Sequence, residues 1–192
     1  EERAVVAILK HNTPCGVGAG ANPREAYQKA FATDPESPFG GILICNKTWD
    51  LDLAQTVDEI FTEVLIAPDF TADALALLQK KKNLRIIDIT GFKLKNLISL
   101  KTFDGSFLVQ SKDKIIFDKK KLKFVTKLKP SKKELAEIEF AFNVCKYVKS
   151  NAIVLCNNFS TIGVGAGQPS RLDSCKIATQ KAKEFQPSKI KN

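Results

Sequence analysis

The feature that most constrains the fold is a series of short apolar runs separated by helix-like segments. The runs are AVVAIL (4–9), ILIC (42–45), VLIA (64–67), LRIIDI (84–89) and AIVLC (152–156). Each has the length of a buried strand and is far shorter than the roughly 20 apolar residues of a membrane span. Strands that alternate with helices predict an α/β fold with a largely parallel sheet.

Helix start signals occupy the segments between these runs. Asn22 before Pro23 is typical of a helix N-terminus, and Ser131 with Glu134 predicts a capping box. The spacing predicts helices from Pro23, over 52–61, over 71–81, from Ser131 to about Ser150, and over 169–185.

The pattern changes near Thr90, where apolar residues alternate with lysines and Gly105 interrupts them. We expect short, partly exposed strands there. The chain is therefore predicted to have a first αβα lobe over 1–90, a lysine-rich connecting region over 91–130 and a second lobe over 131–192.

The net charge of +9 is unevenly spread, with ten lysines and only two acidic residues between Lys112 and Lys133. Such a segment can bind nucleic acid or attract anions, or it can be a solvated surface. It has no arginine and no known nucleic-acid module, so we expect neither nucleic acid nor a membrane as partner.

The five cysteines are odd in number and widely spread, with no CxxC motif. They support neither a disulfide framework nor a zinc site. The chain begins without a secretory signal, and we expect a reducing, cytoplasmic location.

The single histidine, His11, follows Lys10 where the first apolar run gives way to a segment of small residues. A neutral histidine there can accept a proton from a nucleophile, and a lysine can stabilise negative charge on a carbonyl oxygen. A surface or hydrogen-bonded structural histidine is the alternative that these residues leave open.

Two further segments have the composition of ligand-contacting loops. TDPESPFGG (33–41) predicts a rigid turn with exposed backbone groups, which is either a ligand contact or a plain structural turn. TIGVGAGQPSR (161–171) lacks the spacing of known nucleotide motifs, but a glycine loop entering a helix can bind an anion or polar ligand.

Together these segments resemble one family, the AICAR transformylase (formyltransferase) domain of bifunctional purine biosynthesis enzymes. The matching stretches are KHNTPCGVG, DPESPFGGI, EVLIAPDF with LLQKKKNLR, and VKSNAIVL followed by TIGVGAGQPSRLDS. The resemblance implies transfer of a formyl group from 10-formyltetrahydrofolate, a co-substrate, to the exocyclic amine of AICAR, with no metal required for catalysis.

The resemblance also implies residue roles. His11 would accept the proton from the amine, and Lys10 would stabilise the transition state at the formyl oxygen. The residues implied to contact AICAR are Gly40, Glu63, Asn151 and Arg171, and the residue implied to contact the folate is Leu172. Taken singly, each also has a structural explanation, as turn glycine, helix cap, surface charge or core residue.

The fold implied by the resemblance is a pair of cytidine-deaminase-like three-layer αβα lobes without zinc. A homodimer with active sites shared between subunits is implied as well. The family's arginine–tyrosine and phenylalanine-rich motifs and its cyclohydrolase domain are not in this sequence, so the fragment is expected to be inactive alone or to serve as a non-catalytic nucleotide-, anion- or dimer-binding piece.

Overall fold

The structure, a computed structural model, describes residues 2–93, 98–112 and 117–190. Parts of the predicted exposed strands and of the lysine-rich segment fall on residues 94–97 and 113–116, outside the described residues. In chain order the elements are β1 (Ala4–Lys10), β2 (Thr13–Gly20), α1 (Pro23–Phe31), β3 (Gly41–Cys45), α2 (Leu51–Asp58), β4 (Thr62–Ala67), α3 (Ala72–Leu78), β5 (Arg85–Asp88), β6 (Ile98–Phe103), β7 (Ser106–Ser111), α4 (Lys132–Cys145), β8 (Ile153–Asn157), β9 (Ser160–Gly165) and α5 (Arg171–Phe185).

Seven of the strands form one mixed sheet in the order β5-β4-β3-β1-β2-β9-β8. Only the β3–β4 and β4–β5 pairs of this sheet are parallel, and its other strand pairs are antiparallel. The prediction of a largely parallel sheet is therefore wrong. The reason is that β1–β2 and β8–β9 are hairpins, and a two-residue turn can only join antiparallel strands.

The segment Thr13–Gly20, predicted as a loop, is the strand β2. Its glycines lack the side chains that normally favour a strand, so the sequence gives no strand signal there. Likewise, Gly163 and Gly165 lie in β9 and not in a phosphate-binding loop.

These glycines allow two helices to lie directly on the sheet. A Cβ added to Gly16 or Gly18 would overlap backbone carbonyl oxygens of α1, and one added to Gly163 or Gly165 would overlap those of α5. The small residues Ser174, Ala178 and Ala182 form the buried side of α5. Close backbone packing thus replaces interdigitated side chains at the centre of the fold.

Helices α1, α2 and α3 cover one face of the sheet, where the larger apolar core includes Ile8, Leu43, Leu65 and the chain's only tryptophan, Trp49. Helix α4 covers part of the other face, where Val144 packs with valines of β2 and β9. Within the described residues, no helix is both long and apolar enough to cross a bilayer.

The predicted caps are confirmed. Asn22 accepts a hydrogen bond from the Glu25 amide at 2.8 Å, and Ser131 and Glu134 form a reciprocal capping box. Helix α4 ends at Cys145, five residues before the predicted end.

The exposed strands predicted after Thr90 are confirmed as the two-stranded β6–β7 hairpin, with Gly105 in its turn at φ 73°. The division into two lobes stays a prediction. The seven-stranded sheet takes strands from both sides of the lysine-rich region.

The glycine contacts predict a large cost for the smallest side chain. Gly163→Ala should lower the free energy of unfolding by about 3 kcal/mol, because the new methyl group must displace α5 from β9. Gly105→Ala is the control: its added Cβ meets no described atom within 4 Å, so only backbone strain of about 1 kcal/mol is expected. Urea denaturation followed by Trp49 fluorescence measures both, and equal losses would contradict the packing account.

Candidate functional site

The three segments singled out from the sequence border one cavity of about 230 Å³. The cavity lies where the end of β1 and the start of β2 approach the turn after α1 and the side of α5. Its lining residues are Lys10, Thr13, Pro14, Cys15, Asp34, Ser37, Val164, Ala166, Gln168, Ile177 and Lys181. Each of the three segments contributes at least two of them.

Lys10 is the last residue of β1, and its ammonium group donates a hydrogen bond to the Phe39 carbonyl at 2.9 Å. The antiparallel pairing of β1 with β3 brings the end of β1 beside the chain that enters β3. Lys10 therefore reaches the cavity with its ammonium group held at a fixed point.

His11 and Asn12 form the two-residue turn of the β1–β2 hairpin, with φ angles of 51° and 59°. Positive φ at both positions is what a type I′ turn requires, and asparagine tolerates it well. His11 is exposed on this turn next to Lys10 and does not line the cavity. The predicted strand-to-loop junction is thus a tight hairpin turn.

Gly40, the residue after Phe39, lies close to Glu63. Gly40 has φ 70° and donates its N–H to the Phe61 carbonyl at 2.8 Å. A Cβ added there would lie 3.7 Å from a carboxylate oxygen of the exposed Glu63. Gly40 thus has a left-handed backbone and a carboxylate close to it.

Asn151 lies behind the third segment. Its side-chain amide donates to the carbonyls of Gln168 and Pro169, both at 2.9 Å, and its own carbonyl accepts from Ser174 at 2.8 Å. Since Gln168 lines the cavity, Asn151 supports one of its walls.

Arg171 and Leu172 begin α5, and both are exposed. Leu172 is 72% exposed and lines a separate, shallow groove of about 690 Å³ on the outer side of the helix. Of the predicted site residues, the structure places Lys10 in the cavity and Asn151 behind its wall. It leaves Arg171 and Leu172 outside.

The sequence did not predict a role in the site for two of the cavity residues, Asp34 and Lys181. The Asp34 side chain is only 4% exposed, and it accepts hydrogen bonds from Lys181 and from the Ser37 hydroxyl, the latter at 2.7 Å. Burial opposes ionisation of Asp34, but these hydrogen bonds outweigh it and hold the pKa below its usual range. A signal existed, because Lys181 follows Ser174 and Ala178 at helical spacing, and a lysine beside a buried stripe needs a partner.

Cys15 also lines the cavity, but its thiol is poorly suited to act as a nucleophile. Burial raises its pKa, and the nearby Asp34 carboxylate adds to that rise. The thiol therefore stays protonated near neutral pH. Among the residues that the structure describes, no three His, Cys, Asp or Glu side chains come together to hold a metal ion.

Part of the lysine-rich segment is paired with acidic residues. Lys119 lies 2.8 Å from Glu139, and Lys121 lies 3.9 Å from Asp118. The expectation that this segment does not bind nucleic acid stays a prediction.

The lowered pKa of Asp34 predicts a pH-dependent stability. A carboxyl group whose pKa is depressed by folding stabilises the protein above its unfolded pKa of about 4, and that contribution is lost as pH falls through the folded pKa. Asp34→Asn should therefore cost about 2 kcal/mol at pH 7, with the difference from wild type shrinking below about pH 4.

The control is Asp58→Asn, which breaks a more exposed pair with Lys81 and should cost less than about 1 kcal/mol. Urea denaturation at a series of pH values measures both. An Asp34→Asn difference that stays constant down to pH 3 would refute the assignment.

The chain is similar to a known protein family and to several curated proteins. The model of the AICARFT/IMPCHase bienzyme family matches residues 1–181. Bifunctional purine biosynthesis protein PurH from Chlorobium phaeobacteroides (strain BS1) is 48% identical over 184 residues, which cover 96% of this chain and 35% of that protein. The PurH proteins of Chelativorans sp. (strain BNC1) and Brucella anthropi are 48% and 50% identical, each over 94% of this chain and 34% of their own length.

The chain thus spans about a third of the length of the curated relatives that it matches. The family match covers nearly the whole chain, including every residue that borders the cavity. The chain therefore belongs to the AICARFT/IMPCHase bienzyme family.

Proposed function

We propose that this chain carries the formyl-transfer site of a purine biosynthesis enzyme, which transfers the formyl group of 10-formyltetrahydrofolate to AICAR and gives FAICAR. One observation carries the proposal. Lys10 donates to the Phe39 carbonyl at 2.9 Å and lines a cavity that is bordered by three of the stretches resembling the transformylase domain. The names of the relatives, bifunctional purine biosynthesis proteins, support the same pathway.

The reaction needs a base and a positive charge. The exocyclic amine of AICAR attacks the formyl carbon and loses a proton, and the carbonyl oxygen gains negative charge. The carbonyl then re-forms as the C–N bond to the folate breaks, and the folate nitrogen takes up a proton as tetrahydrofolate leaves. The amine is conjugated to the ring and is a weak nucleophile, so removal of its proton by His11 accelerates attack. The Lys10 ammonium stabilises the developing oxyanion.

Exposure favours His11 as the residue that meets the substrate. Its turn projects from the end of the β1–β2 hairpin, and its side chain is open to solvent. Lys10, the preceding residue, is held by a backbone carbonyl. An exposed base beside a fixed positive charge suits a reaction in which a proton leaves one reactant while charge builds on the other.

The substrate-binding roles are those that the resemblance implies. Gly40 and Glu63 contact AICAR on one side of Lys10, and Asn151 and Arg171 contact it near the start of α5. Leu172 contacts the folate from the groove on the outer side of α5. Because Arg171 and Leu172 lie outside the cavity, the two reactants extend from it across the start of α5.

The finer fold and assembly belong to the same proposal. We assign the sheet and its helices to cytidine-deaminase-like αβα lobes, and we place the active site at the interface of a cytoplasmic homodimer. The part of the family's chain beyond this sequence supplies the remaining folate contacts.

The base is tested with His11→Asn in the full-length gene product. Asparagine tolerates positive φ and keeps the turn, but it cannot accept the proton. Turnover should fall about 100- to 1000-fold, while the Kd for AICAR changes less than about threefold. Steady-state kinetics and calorimetric titration measure the two quantities.

Asn12→Gly is the matched control, since it relaxes the same turn and leaves His11 in place; its turnover should stay within about threefold of wild type. Unchanged turnover in His11→Asn would remove His11 from the mechanism. A non-catalytic anion-binding module would instead bind RNA and other polyanions as well as AICAR, with a steep loss of affinity at higher salt.

A further inference from the structure

We propose that the buried Asp34–Lys181 pair is a positioning device that holds the Phe39 carbonyl, and through it the Lys10 ammonium group, in the geometry for formyl transfer. The inference rests on the proposed function, because it assigns a role in that reaction. The observation behind it is the chain of contacts from α5 to Lys10, which passes through the segment Thr33–Gly41.

The first contact fixes the Asp34 end of this segment. The carboxylate is 4% exposed and bonded to Lys181, while Lys181 is 34% exposed and reaches it from α5. The same carboxylate accepts from the Ser37 hydroxyl at 2.7 Å and from the Ser37 amide at 3.1 Å. Lys181 thus holds Asp34, and Asp34 holds the turn that ends at Ser37.

Further hydrogen bonds lie between the Asp34 turn and the Lys10 ammonium group. After Ser37, the Gly41 amide donates to the Pro38 carbonyl at 2.9 Å, and the Gly40 amide donates to the Phe61 carbonyl at 2.8 Å. The Phe39 carbonyl between them accepts the Lys10 ammonium group at 2.9 Å.

The Phe39 side chain does not fix this carbonyl, because it is 66% exposed. Its ring packs against the Phe61 ring, with centroids 5.2 Å apart. The carbonyl position therefore depends on the backbone anchors on either side, which are the Asp34 turn before it and the hydrogen bonds of the Gly40 and Gly41 amides after it.

Thr33, the residue directly before Asp34, is held by a separate network. The Thr33 hydroxyl lies 2.7 Å from the Thr161 hydroxyl and donates to the Thr161 carbonyl, also at 2.7 Å. These groups are buried and keep α1 against β9. Loss of the ion pair should therefore loosen the turn over 34–39 without unfolding the protein.

A positioning role and a purely structural role differ in kinetics. A displaced Lys10 loses contact with charge that exists only in the transition state, so kcat falls while KM for AICAR stays nearly constant. A general loss of structure would instead reduce the fraction of active protein and would be restored by lowering the temperature.

The test uses Lys181→Met and Lys181→Arg in the full-length gene product, with Lys81→Met as the matched control. Lys81 is 32% exposed and ion-paired at 2.8 Å with Asp58, but it lies away from the cavity. We expect kcat of Lys181→Met to fall about 10- to 100-fold, with KM for AICAR within about threefold of wild type.

Lys181→Arg retains the pair and should recover kcat to within about fivefold of wild type. The double variant Asp34→Asn with Lys181→Gln keeps a neutral hydrogen-bonding pair and should be more active than Lys181→Met. A Lys181→Met protein with the wild-type Trp49 fluorescence and wild-type kcat would overturn the proposal.

A second readout does not depend on turnover. The rate at which an amine-acetylating reagent modifies Lys10, followed by peptide mass spectrometry, should rise about fivefold in Lys181→Met, the factor expected for loss of one ordinary hydrogen bond. The rate should not change in Lys81→Met.

This measurement separates the two proposals. If the wild-type gene product transfers no formyl group, the proposed function fails, and the acetylation rate alone decides whether the pair positions Lys10. Equal Lys10 rates in wild type and Lys181→Met refute the positioning role whatever the activity.

Discussion

The fold depends on the direct contact of two helices with two glycine-bearing strands at the centre of the sheet. Helix α1 lies on Gly16 and Gly18 of β2, and α5 lies on Gly163 and Gly165 of β9. Because β2 and β9 are neighbours, the two helices approach each other, and the buried hydroxyl of Thr33, just after α1, bonds to that of Thr161 on β9. No side chains separate helix and strand at these glycines. A small shift of either helix toward its strand would therefore make backbone atoms overlap.

This contact also creates the site. The close approach brings the turn after α1 within reach of α5, where Asp34 meets Lys181. The turn then continues into the peptide that holds Lys10. The cavity is therefore bordered by elements from both ends of the chain, and its geometry is set by helix packing more than by any loop. A rigid frame of this kind is what charge stabilisation in a transition state requires.

Local sequence signals predicted most of the elements. Apolar runs marked β1, β3, β4, β5 and β8, although β5 and β8 are edge strands and β5 is mostly exposed. The caps at Asn22 and Ser131 marked two helix starts. Strand β2 was missed because its glycines are selected by helix contact, which a local pattern does not reveal. The sheet direction was wrong because the hairpin turn at His11 and Asn12 has no glycine to indicate it.

The residues of the candidate site were likewise predicted only in part. Lys10 and His11 stood out because adjacent charged and titratable residues at a strand end are unusual. The Asp34–Lys181 pair joins residues 147 positions apart, so the spacing on α5 indicates that Lys181 needs a partner but does not identify Asp34 as that partner. The most direct measurement of the central claim follows a carbon-13 formyl group from 10-formyltetrahydrofolate in the presence of the full-length gene product and AICAR. The account predicts that the label appears on the exocyclic nitrogen of AICAR; a folded gene product that binds AICAR and leaves the label on the folate would contradict it.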